Sequence, residues 1–482
     1  MSSICAPDSR PIQPAPLRLR IAEQLDHLND ADTRRRLYAI IAAPLFLFCM
    51  MLGVVKWRFS HKEPKLDFAS NDGKYYYLYI ASVMVDGDLD FHNQMREQWP
   101  EENYPQTENG AVLNKYPIGV SLSLLPSFFP AHEFSRVVHG ITDRRFFAAN
   151  GYTILYQVSN LAWVFILCWA TFVLIDRVMM QHFSVDGALR GKYIAAGVLC
   201  AWLGTQYAYH AMRFPLMANV ISTFWVTATI AVVAEAVHAM KQHRFVAWHW
   251  PVMVFCTAMA IICRPTNVMV CVFGFFALYQ VVRQGMLVRL LKCFPWLMLA
   301  LFPIALQMIA WHIMFGHWIT YSYAGHTFKN GGTEKFYWTD PVLFKSLFSL
   351  RAGLFVWCPV FAIGTFAAVF FLFREIPGRW LVGCSVAAFV VLWYFDSAWW
   401  CWPFSGYPSR AYLEMVVLPA LGITLLFHHS DASRRWQRIL VGVLLVCIAS
   451  TYLLEAAYDL ALVPRLGDTV ILLGPAYAAQ FR

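Results

Sequence analysis

Long apolar runs separated by short polar breaks dominate the chain. The runs lie at 37–55, 151–175, 193–211, 217–237, 246–262, 266–282, 294–315, 353–373, 381–395, 411–427 and 439–458. Each approaches the ~20 residues a helix needs to cross a hydrocarbon core. The pattern predicts an all-α polytopic membrane protein of about 11 transmembrane helices. A further apolar stretch, 117–130, is short and has proline at both ends, so it is expected as an interfacial helix. Two long polar segments interrupt the alternation, at about 56–150 and about 316–350. The expected organisation is a terminal segment 1–36, a membrane core 37–458 and a tail 459–482.

Composition removes the competing classes. Of 482 residues, 59% are hydrophobic and 14% charged, against about 45–50% and about 25% in soluble domains. A soluble globule has no place for that much apolar surface. Disorder, collagen, coiled coil and a small disulfide scaffold fail on the same figures. The formal charge of +9 reads as topology rather than nucleic-acid binding. With the N-terminus in the cytoplasm, thirteen Lys or Arg fall in short inner loops and three in short outer ones. That bias places both long segments, and the C-terminus, outside. The first 36 residues are polar and end in Arg34-Arg35-Arg36, the flank of an uncleaved anchor. The 12 cysteines form no CxxC or Cys/His metal spacing and read as reduced packing thiols. There is no GxxxxGK[ST], nor a GxGxxG after a strand, so no bound cytoplasmic nucleotide supplies energy or activated substrate.

Chemistry is therefore sought on the outer side. Asp72 opens a Tyr-rich helical stretch directly after the first run. It is a candidate general base toward a substrate hydroxyl, with a helix N-cap as the alternative. Lys74 and Tyr76 follow on the same stretch as candidate substrate contacts. Asp86, Asp88 and Asp90 lack the ligand order of a calcium loop and read as a helix-ending turn, with Asp86 or Asp88 touching substrate. In Asn114-Lys115-Tyr116-Pro117, the proline holds Tyr116, a candidate substrate contact, extended, and Lys115 falls at headgroup level as a candidate functional cation, with a snorkelling anchor as the alternative. Arg264, Arg351 and Arg410 stand against the charge gradient. Either they converge on a shared anion such as a phosphate, or they pair with Glu414, Asp396 or Asp340. Trp399 and Trp400, with Trp402, Tyr407, Tyr337 and Trp338, either wall a sugar site or form an interfacial belt.

Taken in order, several of these pieces carry a resemblance. They are Asn71-Asp72-Gly73-Lys74-Tyr75-Tyr76, the Asp86-to-Asp90 turn, Lys115-Tyr116-Pro117-Ile118-Gly119 and Leu203-Gly204-Thr205. Arg264-Pro265-Thr266-Asn267, Phe348 to Phe355 around Arg351, and Trp399-Trp400 with Ser409-Arg410 complete the set. The chain resembles the GT-C superfamily of integral-membrane glycosyltransferases over about residues 37–428. It is similar to bacterial members with a dolichyl-phosphate-mannose-transferase-like core. The resemblance implies a GT-C-like bundle in the inner membrane with its active site on the periplasmic face. It also implies an inverting transfer of sugar from a polyprenyl-phosphate donor (undecaprenyl phosphate in a bacterium) to a glycan or lipid acceptor. Asp72 matches the acceptor-activating Asp of that family. Many members carry a second acid beside it; here Asn71 and Gly73 stand there, so no paired-acid metal site and no cofactor are expected. In the related lipid A aminoarabinose transferases a Lys before a Pro contacts the donor phosphate. Lys115 matches that context with Tyr116 intervening, and Arg264, Arg351 and Arg410 are the further phosphate candidates. The rival readings are a flippase or transporter of lipid-linked sugars, and an O-antigen ligase or polymerase-like enzyme. The first lacks the expected internal repeat, and the second expects its large outer loop late in the chain.

Overall fold

The computed structural model describes residues 27–59, 72–100, 104–183, 190–323, 335–403 and 407–466, with positions 469 and 480. Most of the N-terminal segment and of the C-terminal tail, parts of both long polar segments, and Asn71 lie outside the described residues. Those described are helical apart from turns and two isolated bridges, Gln106 with Val112 and Phe336 with Trp399. In chain order the helices are α1 (Ala31–Phe59), α2 (Asp72–Ala81), α3 (His92–Gln98), α4 (Gly119–Thr142), α5 (Ile154–Phe183), α6 (Gly191–Leu203) and α7 (Tyr207–Arg213). Then come α8 (Ala218–Lys241), α9 (His249–Cys263), α10 (Cys271–Arg283), α11 (Leu287–Leu291), α12 (Phe294–Ala300) and α13 (Phe302–Phe315). The last are α14 (Leu343–Phe348), α15 (Leu354–Trp357), α16 (Pro359–Leu372), α17 (Arg379–Ala398), α18 (Val417–His429) and α19 (Arg434–Asp459).

Every predicted apolar run is helical, but not every run is one helix. The run 193–211 breaks at Gly204–Gln206, where α6 gives way to α7, and 353–373 breaks at Cys358. The run 294–315 bends by 43° between α12 and α13, and 411–427 begins as the 3-10 turn Arg410–Met415. Among the described residues five helices are long and apolar enough to cross a membrane, or six if the bent pair forms one span. This is a helical membrane protein, with apolar side chains left on its outside. Phe275, Leu299, Phe373, Val446 and Leu453 are all exposed, as residues facing lipid tails are free to be.

One expectation is corrected. The stretch 117–130 is not a short helix closed by its prolines. Helix α4 runs from Gly119 to Thr142 straight through Pro126 and Pro130. Trp163 and Ser159 of α5 donate to the carbonyls of Ser123 and Ser127 at 2.7 and 2.9 Å, each three residues before a proline, the kind of neighbouring-helix partner that lets a helix carry proline.

Small residues set how closely the helices approach. Gly422 of α18 lies against the carbonyl of Gly364 in α16, and a Cβ on Gly364 would meet Pro419. Gly119 lies so close to Ile262 at the end of α9 that a Cβ would come within 2.5 Å of that residue's carbonyl.

The two ends of the bundle are chemically distinct. At one end Arg177 pairs with Glu235 at 2.6 Å and Arg190 with Asp431 at 3.7 Å, joining α5, α8, α6 and the turn after α18. Arg34, expected as an anchor cation, is buried near that end. It grips Asp176 at 2.7 and 3.0 Å and the carbonyls of Leu28 and Asn29. Asn219 at the start of α8 is sixteen residues from Glu235, about 24 Å along the axis. The candidate site lies at that opposite end.

Candidate functional site

Asp72 is the first residue of α2, where the helix N-terminus favours a carboxylate. Its Oδ2 accepts from Nη2 of Arg410 at 3.3 Å, with the side chains 31% and 16% exposed. The Tyr116 phenol lies in the field of the Asp72 carboxylate. Burial, then the Asp72 carboxylate, hold the Tyr116 phenol well above its usual range, so it remains a donor. Tyr76, one turn along α2, packs against Tyr116 with ring centroids 4.8 Å apart and the planes tilted by 53°, and lies in the field of Asp72, Arg264 and Arg410. Two distant loops thus meet at the start of α2. The candidate base, one candidate cation and two candidate tyrosines are brought together.

Arg264 has different surroundings. Its guanidinium donates to both oxygens of Glu414 at 3.3 and 3.2 Å and lies 3.7 Å from Asp396. Glu414 is fully buried and also accepts from Ser222 at 2.8 Å and Asn219 at 3.4 Å. Of the two readings open to Arg264, the structure shows the ion pairs with Glu414 and Asp396.

The segment carrying Arg410 is held at three successive carbonyls. Gln206 donates to Ser409 O at 2.7 Å, Asn219 to Arg410 O at 3.1 Å and Arg264 to Ala411 O at 2.9 Å. Ser409 itself has φ 64°, a left-handed conformation that persists in a non-glycine residue only where its surroundings enforce it. Its hydroxyl donates to Ala352 O at 3.0 Å, tying the residue after Arg351 to the residue before Arg410.

The remaining candidates spread around this centre. Lys115 Nζ lies 5.3 Å from the ring centroids of both Tyr116 and Tyr323, and Ser322 donates to Lys115 O at 2.7 Å. Arg351 is exposed ahead of α15. Lys74 is buried against Tyr75 and Trp99, at 5.0 and 5.7 Å. Asp86 accepts from Gln94, and Asp88 from Ser82 at 2.7 Å and the Asp90 amide at 3.1 Å. These local bonds shape the expected turn, which closes α2 through a π-turn and a left-handed Gly87. Trp400 is fully buried in a satellite core with Val342, Ala352 and Trp402, while Trp399 is half-buried beside it. Among the described residues no group of His, Cys, Asp or Glu is placed to hold a metal ion, and every cysteine is a free thiol.

Sequence reasoning missed Tyr323, Asn219, Ser222 and Gln206. The first belongs to a loop with no chemical motif, and the others read as ordinary polar residues near helix ends. Comparison with protein-family models, with curated proteins and with solved structures yields no match.

Proposed function

We propose that this protein is a membrane-embedded inverting glycosyltransferase that takes its sugar from a polyprenyl-phosphate donor. The observation that carries the reading is the part-exposed Asp72 carboxylate gathered with Arg410 and Tyr116 at one end of an apolar helix bundle. A sugar linked to a bilayer lipid arrives at that level, and the site offers a base and cations side by side. The motif resemblance adds support.

In this reading Asp72 receives the proton of the acceptor hydroxyl as its oxygen attacks the anomeric carbon. The bond from that carbon to the phosphate oxygen breaks, and the lipid phosphate departs with the electron pair. One displacement inverts the anomeric centre. Arg410 and Lys115 stabilise the departing phosphate, with Arg351 placed at its outer side; such fixed charges are worth a few kcal/mol per donor in a poorly hydrated site. Arg264 acts on the segment that carries Arg410 rather than on the phosphate. The acceptor is a glycan or lipid of the cell envelope, the membrane is the inner membrane, and the site faces the periplasm. The eleven-span topology with a cytoplasmic N-terminus belongs to the same proposal.

The test is sugar transfer from a purified polyprenyl-phosphate sugar. Asp72→Asn keeps a residue that caps helices well but removes the base, so transfer is expected to fall by about 10²–10⁴-fold with thermal stability nearly unchanged. Near-wild-type transfer by that variant would falsify the assignment.

A further inference from the structure

Arg410 is the partner of Asp72, and its guanidinium occupies Oδ2, one of the two oxygens that an acceptor hydroxyl could approach. The geometry of the pair suggests how it opens. The contact joins one nitrogen to one oxygen at 3.3 Å, between side chains that both reach solvent. A single long contact between part-exposed side chains is weaker than a buried, doubly bonded pair and easier to exchange. A phosphate is a stronger partner, because its oxygens accept two parallel bonds from the guanidinium fork.

Arg264 provides the contrast within the same site. It is 13% exposed and bound to a fully buried carboxylate. Removing either partner there strands a charge, so that pair is not exchangeable. Arg410, by comparison, has a fixed root and a displaceable tip. Its own carbonyl and those on either side are each held by a different side chain, while its guanidinium faces the part-exposed Asp72. Lys115, its Nζ 5.3 Å from the ring centroids of Tyr116 and Tyr323, supplies a second charge to an incoming anion.

We propose that Arg410 serves two anions in turn, Asp72 first and then the phosphate of a lipid-linked donor, so that donor binding itself frees Asp72 to act. This rests on the lipid-phosphate reading above and adds an order of events: the acceptor is activated only after the donor is seated. Asp72 is then a competitor of the donor, and neutralising it should tighten donor binding while abolishing transfer.

The experiment measures equilibrium binding to the full-length protein in nanodiscs, with undecaprenyl phosphate in one arm and inorganic phosphate in the other. Asp72→Asn and Asp72→Ser, two neutral helix-capping variants, are each expected to bind undecaprenyl phosphate about three- to tenfold more tightly than the wild type. Arg410→Gln should bind more weakly, and adding Asp72→Asn to it should bring no gain. Tightening confined to the lipid arm assigns the recognised phosphate to a lipid headgroup; tightening in both arms assigns recognition to the phosphate group itself, and either supports the exchange. Unchanged or weaker binding in both neutral variants overturns it, as does a wild type that binds neither probe. A gain that persists without Arg410 also overturns it, because bare repulsion from Asp72 would then suffice. Binding is read without turnover, so absence of transfer in the earlier assay leaves this result standing. Lost transfer with unchanged phosphate affinity sinks the exchange alone.

Discussion

Arg264 and Arg410 carry the same side chain and sit in the same cluster, and their surroundings give them opposite duties. Arg264 neutralises Glu414, a carboxylate with no exposure, and holds Ala411 O. Its loss leaves a buried charge unpaired, a change that typically costs about 3–5 kcal/mol. Arg264→Met should therefore lower the midpoint of thermal unfolding in detergent by several degrees or prevent accumulation of folded protein. Arg264→Met combined with Glu414→Leu should recover much of that loss, because an apolar pair of similar bulk leaves no stranded charge. A folded, fully stable single variant would show that Glu414 is neutralised by something else. Neither duty is written in the residue type: Arg264-Pro265-Thr266-Asn267 and Ser409-Arg410 look alike as isolated cations near membrane edges.

Helix α4 shows how one position governs a whole element. Gly119 follows Lys115 and Tyr116 and presses on the backbone at Ile262 and Cys263, directly before Arg264. The Ile118 amide donates to Gln307 Oε1 at 2.8 Å, and Trp225 donates to Ser123 Oγ at 2.7 Å, so α4 has no room to retreat. Gly119→Ala is expected to cost about 1–3 kcal/mol by overpacking. It should also reduce transfer beyond the loss in stability, since it moves Lys115 and Arg264 relative to each other. Activity per folded molecule, measured beside thermal unfolding, separates the two effects; equal activity and stability in the variant would show that the contact is slack. The glycine was visible in the sequence as part of Lys115-to-Gly119. Its purpose was not, because the atoms it accommodates come from a segment more than a hundred residues on.

At the scale of the whole molecule, two charged clusters stand at opposite ends of the helix bundle. Arg177, Arg190 and Asp431 gather at one end, and Asp72, Arg264, Asp396 and Arg410 at the other. Helices α5, α8, α17 and α18 each connect the two. Reporter fusions after His243 and Ser430 are expected to read cytoplasmic, and one after Gly316 extracytoplasmic. A reversed reading at any of the three would place the candidate site on the cytoplasmic face, where the transfer reading fails. The breaks at Gly204–Gln206 and Cys358 fall beside the site rather than at random. Gln206 uses its amide on Ser409 O, and its carbonyl accepts from Cys358 at 2.8 Å.

What the sequence by itself determined was the solvent of the protein and the number of its apolar runs. Burying that many apolar residues has few solutions, and period and length are local properties that need no partner. It also singled out Asp72 and Arg410, because charge at a membrane edge is costly wherever the chain later goes. The continuity of α4 through two prolines, the interruption of four apolar runs, and the division of labour between Arg264 and Arg410 were decided only in three dimensions. Each rests on contacts between distant segments: side chains of α5 on carbonyls beside the prolines of α4, a glutamine at a helix break that holds the Ser409 carbonyl, a buried glutamate that claims one arginine and leaves the other to Asp72. Such contacts have no period and no spacing, so no reading of one strand of text contains them.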